Sequence, residues 1–171
     1  MKNIITGFGN YRLWAPLDDN KKIDPDSTLL FADLISINTF NAPKECLTIG
    51  TEVRTFRVKL AQLPGSNKLA QIELDTVLGL EGHEADSESI EHVGERLLEL
   101  LSQKYESAEV TDLSSGTIYQ YRIEDENRNS IHLVYDANVV LVHYNSRELN
   151  LLLEQAFIEK TNEEQDTIDK L

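Results

Sequence analysis

Cysteine is nearly absent. Cys46 stands alone among 171 residues, so no internal disulfide can staple the chain, which suits a reducing compartment. No activating neighbours surround it in sequence, so it reads as a core or loop residue rather than a nucleophile. Basic residues are scarce, with 16 Lys and Arg against 30 Asp and Glu, a net charge of −14 and a pI near 4.6. That balance argues against nucleic-acid phosphates and anionic membranes as direct partners, because both repel it. No apolar run approaches the ~20 residues a membrane helix needs. The opening MKNIITGFGNYRLW lacks the apolar core and cleavage site of a secretory signal. No Asn-x-Ser/Thr sequon occurs. The cytoplasm is the expected location.

Catalytic and cofactor motifs are missing too. Gly7-Phe8-Gly9 begins a dinucleotide-like pattern, but Arg12 stands where the third glycine belongs. Asp18, Asn20, Asp24 and Asp26 suggest a calcium loop, yet Lys22, Ile23 and Leu29 occupy positions an EF-hand needs for a ligand, a glycine and a closing glutamate. Ser114-Ser115-Gly116 lacks the first glycine of a nucleophile elbow. His83 and His92 have no metal-ligand spacing. A non-enzyme without cofactor or metal is the expectation.

What is present is periodicity. In Val53–Leu63, Phe56, Val58 and Leu60 alternate with Arg57, Lys59 and Ala61; in Leu69–Leu80, Ala70, Ile72 and Leu74 alternate with Gln71, Glu73 and Asp75. Pro64-Gly65-Ser66-Asn67 lies between, which predicts a β-hairpin. Strands are also expected over 4–14 and over Leu29 to Phe40, the latter broken by Asn41-Ala42-Pro43, with a loop from Pro16 to Ser27. Ile90, Val93, Leu97, Leu100 and Leu101 recur at three and four, predicting a helix over Asp86–Tyr105 capped by Asp86 or Ser87. Gly94 inside it costs about 1 kcal/mol relative to alanine, and a closely approaching strand would account for it.

A second β region follows. Tyr119, Tyr121 and Ile123 form one alternating run, and Ile131, Leu133 and Tyr135 form the next, with Asp125 to Asn129 turning between them. The tyrosines are expected in the core. Ala137-Asn138 supplies a two-residue turn if Asn138 takes φ > 0, leading into a central strand over Val139–Tyr144. That register sets His132 directly opposite His143, a pair that could bind a metal or relay a proton. Asn145 then reads as the N-cap of a second helix, with Glu148 as its capping-box partner and Leu149, Leu152, Leu153, Ala156 and Phe157 as its apolar stripe. The fold class expected is α+β: an antiparallel sheet built from hairpins with two main helices packed on it, one domain over 1–160, and an acidic, frayed tail over 161–171.

The feature that points to a partner is a row of carboxylates. Glu84, Glu88, Glu91, Glu95 and Glu99 are spaced four, three, four and four apart on the first helix. At about 100° per residue they share one stripe, roughly opposite the apolar one. Like charges so placed repel by about 0.2–0.5 kcal/mol per pair. Arg96 and Lys104 lie off the stripe's centre and are expected to neutralise it poorly, and Glu106, Glu109 and Asp112 add charge nearby. The expectation is a partner-binding surface for a basic protein.

In size, acidity, lack of disulfides and lack of a catalytic motif, the chain resembles the immunity proteins of bacterial toxin systems, including those of contact-dependent growth inhibition. The resemblance is one of whole-chain profile. It implies a cytoplasmic inhibitor of a toxin domain, often a nuclease with a basic cleft, whose contacts the glutamates would satisfy in place of phosphates. Other readings are a nucleic-acid-mimicking inhibitor of a nucleic-acid-binding protein, a metal or proton-relay protein using His132 and His143, and an adaptor domain acidic only for solubility.

Overall fold

The computed structural model describes residues 3–18, 25–31, 34–50, 52–77 and 87–171. The chain opens with β1 (Gly7–Phe8) and β2 (Tyr11–Arg12), a small antiparallel hairpin in place of the single strand expected over 4–14. Gly7 lies at φ 143°, and a Cβ there would sit 2.0 Å from the Tyr11 carbonyl oxygen, so the turn closes only around glycine.

Next come β3 (Pro25–Phe31) and β4 (Ile35–Ile49). The run expected from Leu29 to Phe40 is thus divided between two paired strands. β4 does not stop at Asn41-Ala42-Pro43. Its register against the following strand shifts between Ala42 and Glu45, a bulge that contains Pro43. A bulge tolerates a residue without an N–H where a regular ladder would not.

The predicted hairpin is β5 (Glu52–Gln62) and β6 (Leu69–Val77). Helix α1 (Ser87–Lys104) follows; of the two expected caps, Asp86 lies outside the described residues and Ser87 is the first residue of the helix itself. The second half contains β7 (Glu109–Asp112), β8 (Tyr119–Glu124), β9 (Ser130–Tyr135), β10 (Val139–Asn145) and helix α2 (Arg147–Lys170). Strand β7 has no counterpart in the sequence expectation.

Among the described residues the strands from β3 onward make one eight-stranded antiparallel sheet, in the order β3-β4-β5-β6-β10-β9-β8-β7. The two halves of the chain join where β10 pairs with β6. The fold is α+β, with both helices packed on the sheet.

The two faces of the sheet differ. Phe56, Leu60, Ile72, Leu133 and Val142 bury one face in a core shared with Ile90, Val93 and Leu101 of α1. Tyr135 belongs to this core, stacked on Tyr119 at 5.0 Å and on Tyr121 at 6.3 Å. Its ring lies against Gly94, where a Cβ would come within 2.2 Å of Cγ. The close approach expected of that glycine is therefore made by β9. On the other face a smaller cluster, Ile37, Ala61, Leu63, Ala70 and Leu149, anchors the start of α2.

The N-cap of α2 is Ser146, whose Oγ accepts from the Leu149 amide at 3.2 Å. Asn145, expected as the cap, instead accepts from Gln71 Nε2 at 2.9 Å. The helix runs to Lys170, so the expected frayed tail over 161–171 is helical, with every residue from Phe157 onward exposed. Pairs at i,i+4 such as Gln155–Glu159 and Gln165–Asp169 support it locally.

Candidate functional site

The glutamate stripe is placed in part. Glu84 lies outside the described residues, and Glu88 is described only as helix backbone. Glu91 is half-buried at the flank of the helix, whereas Glu95 and Glu99 are exposed. Steps of 100° explain this: Glu91 lies nearest the Ile90 and Leu101 side, whereas Glu95 and Glu99 fall closer to the point opposite them. The stripe is also less bare than expected. Arg96 Nη1 reaches Glu99 Oε2 at 2.5 Å, and His92 Nδ1 lies 3.8 Å from Glu95 Oε2. Of the further carboxylates, both exposed on β7, Asp112 pairs with Tyr121 on the α1 side of the sheet, whereas Glu109 pairs with Glu124 on the opposite face.

The other sheet face carries a second constellation. His132 stands directly opposite His143, the register expected from the short turn. The turn works by different chemistry, because Asn138 is not at positive φ. Asp136 Oδ1 instead accepts from the amides of Asn138 and Val139 at 2.7 and 3.0 Å, an Asx-type closure. The pair belongs to a polar row crossing five strands. Lys59 on β5 faces Glu73 on β6, Glu73 faces His143 on β10, His143 faces His132 on β9, and His132 faces Arg122 on β8.

Three members of the row, His143, His132 and Arg122, lie in the floor of a groove of about 680 Å³ walled by Leu153, Glu154 and Phe157 of α2. Neighbouring contacts fix the wall to the floor. Asn150 Nδ2 donates to Ser130 Oγ at 3.0 Å and to the Arg128 carbonyl at 2.8 Å, and Arg128 Nη2 meets Glu154 Oε2 at 2.6 Å. Arg122 donates to Glu124.

His143 Nε2 lies 3.3 Å from Glu73 Oε1, an approach outside hydrogen-bond geometry, and its interaction with His143 holds the Glu73 carboxyl below the usual carboxylate range, with burial opposing and Lys59 and Arg57 assisting. Nε2 of His132 is buried and has no hydrogen-bond partner among the described residues. Burial, helped by the Arg122 charge and by His143, pushes His132 down to about 4, so its imidazole is neutral near pH 7. No group of three or more His, Cys, Asp or Glu side chains among the described residues is arranged to hold a metal ion. No described helix is long and apolar enough to cross a membrane.

These shifts give stability a direction with pH. An unfolded histidine titrates near 6.5. On acidification the unfolded chain takes up this proton first, so His132 makes the fold less stable from about pH 6.5 down to about 4. Glu73 acts in the same sense at lower pH: its contribution is present above its unfolded pKa and lost as pH falls through its depressed folded value. Denaturant midpoints should therefore fall from about pH 7 to about pH 4.5, and His132→Gln should fall less steeply. A flat profile, or an unchanged slope in the variant, would contradict the burial of a neutral imidazole.

Comparison with protein-family models, with curated proteins and with solved structures gives no match for this chain.

Proposed function

We propose that this chain is a non-catalytic acidic binding protein that neutralises a basic protein partner, acting in the cytoplasm as an immunity protein against a toxin domain. One observation carries the reading: α1 fixes its inner side to the sheet through Ile90, Val93 and Leu101 while Glu95 and Glu99 stand in solvent on the outer side. Carboxylates presented on a packed helix bind without the cost of ordering their backbone, and a net charge of −14 speeds encounter with a basic partner. In a toxin cleft that binds phosphates, such carboxylates accept the charge-assisted hydrogen bonds that Lys and Arg would otherwise give to substrate.

Growth of bacterial cells provides the test. The full chain is co-expressed with a basic toxin domain encoded beside its gene. Restored growth, dependent on the folded chain, is expected. Undiminished toxicity at equal expression would refute inhibition.

A further inference from the structure

Beside the glutamates of α1 the sheet presents a row of aromatic rings. Tyr119 pairs with Tyr135, and Tyr121 pairs with Leu133 of the core beneath α1, so both β8 tyrosines lie on the α1 side. Their rings extend that of Tyr135 as a stack, with planes only 18° and 21° from it. Tyr135 is buried while Tyr119 and Tyr121 are half-buried, so the stack meets solvent at β8.

The helix lies over β9 and β10, and Gly94 touches the Tyr135 ring, which marks the flank of α1 on the β9 side. Leu98, Glu91 and Glu95 follow Gly94 within about 100° around the axis, so they share that flank, beyond which lies β8. Glu95 acts on the stack itself: its charge is among the causes, after burial and Tyr121, that push the Tyr135 hydroxyl up. On the far side of the tyrosines, Asp112 of β7 pairs with Tyr121 and projects from the same face.

Charge here has one sign. Glu91, Glu95 and Asp112 are carboxylates, and no described donor is hydrogen-bonded to Glu91 or Glu95; Asp112 accepts from the Ser114 amide at 2.9 Å. The guanidinium groups of α1 and β8 are engaged elsewhere, Arg96 with Glu99 and Arg122, on the opposite face, with Glu124. His92 Nδ1, 3.8 Å from Glu95 Oε2, is the one basic group described beside these carboxylates. Ring faces attract cations, as carboxylates do, so both parts of the surface call for positive charge. A guanidinium satisfies both together, since its plane stacks on a ring while its N–H groups reach a carboxylate in parallel pairs; a lysine ammonium is a point charge that does not stack.

We propose that the surface between α1 and β7–β8 receives an arginine side chain of a protein partner, its guanidinium lying on Tyr119 and Tyr121 and donating to Glu95, with Glu91 and Asp112 adding negative charge on either side. The inference rests on the reading of α1 as a surface for a basic partner and narrows that partner's contact to one side-chain type.

The test titrates the full chain at low salt with acetyl-arginine amide, following the tyrosine ring signals by NMR, alongside acetyl-lysine amide and acetyl-citrulline amide, the uncharged analogue of the same shape. Saturable shifts at Tyr119 and Tyr121 are expected with arginine, with a Kd of about 10 mM or tighter for so small a probe. Lysine should bind at least about threefold more weakly and citrulline at least about tenfold. Tyr119→Leu keeps apolar bulk without the ring, and Glu95→Gln keeps the shape of an exposed side chain without its charge. Each, checked for folding by thermal melting, should weaken arginine by about threefold or more. The proposal is overturned if arginine gives no saturable shift at these rings, if lysine or citrulline matches it, or if either folded variant binds it as the parent does. Restored growth of toxin-expressing cells without this binding would overturn the arginine site and leave inhibition standing; arginine binding with undiminished toxicity would do the reverse.

Discussion

Gly94→Ala should destabilise the protein by about 2 kcal/mol, although helix propensity alone predicts a gain of about 1 kcal/mol. The new methyl group would lie 2.2 Å from Cγ and 2.6 Å from both Cδ atoms of Tyr135. Cγ is held close to the β9 backbone, so the ring cannot swing clear as a long side chain would. Nor can it retreat freely, because Tyr135 is 2% exposed and stacked on Tyr119 and Tyr121. Relief requires α1 to lift from the sheet, which opens the core around Ile90 and Val93. At about 2–4 °C per kcal/mol for a chain of this size, Tm should drop by about 4–8 °C. In a Tyr135→Ala background the same substitution should cost much less, a coupling that a double-mutant cycle measures. An alanine that stabilises the parent would show that α1 does not approach β9 this closely.

Asp125→Ala should cost about 3 kcal/mol. Asp125 is buried in the turn between β8 and β9, where its carboxylate accepts from three backbone amides: Ile5 at 2.7 Å, Asn127 at 2.9 Å and Asn129 at 3.1 Å. Asn129 completes the junction, donating from Nδ2 to the Ile5 carbonyl at 3.0 Å and accepting from the Arg147 amide at 2.8 Å. One turn thus ties together the N-terminal segment, the β8–β9 hairpin and the start of α2. Removing the carboxylate leaves the Ile5 amide beside a fully buried side chain and without its partner. Hydrogen exchange at Ile5 should accelerate more than exchange in β9. Asp125→Asn keeps one acceptor oxygen and should lose about half as much. Equal losses in the two variants, or an unchanged Ile5 exchange rate, would contradict this role.

Both effects depend on contacts between residues far apart in sequence, and they mark where sequence reading succeeds and fails. Alternation over Phe56–Leu60 and Ile72–Leu74 reports one apolar face directly, so the β5–β6 hairpin was readable from its residues. The pairing of His132 with His143 was readable because a short turn transmits register over a few residues. Strand β7 was not, because Glu109–Asp112 is exposed throughout and exists by pairing with β8 rather than by its own pattern. The cap of α2 was misplaced by one residue because Asn145 and Ser146 are both good caps, and the cross-strand bond from Gln71 engages the asparagine. The groove is not legible in the sequence: Arg122 and the histidines follow from local hairpins, but no residue pattern assigns α2 to the face of the sheet on which it walls them. The glutamate stripe was visible as spacing, but its partial neutralisation by Arg96 depends on a rotamer that spacing does not fix.

That partial neutralisation sharpens the functional account, because it ranks the carboxylates. Glu99 already holds Arg96 and should contribute less to binding than Glu95, whose described neighbour is the His92 ring, with Nδ1 3.8 Å from Oε2. The most direct measurement is the affinity of the full chain and of a Glu91→Gln/Glu95→Gln/Glu99→Gln variant for the proposed basic partner, a toxin domain, taken across a series of salt concentrations. The account predicts affinity lower by about tenfold or more at low salt and a shallower salt dependence in the variant, with Glu95→Gln alone giving the larger share. Unchanged affinity and an unchanged salt slope would contradict it.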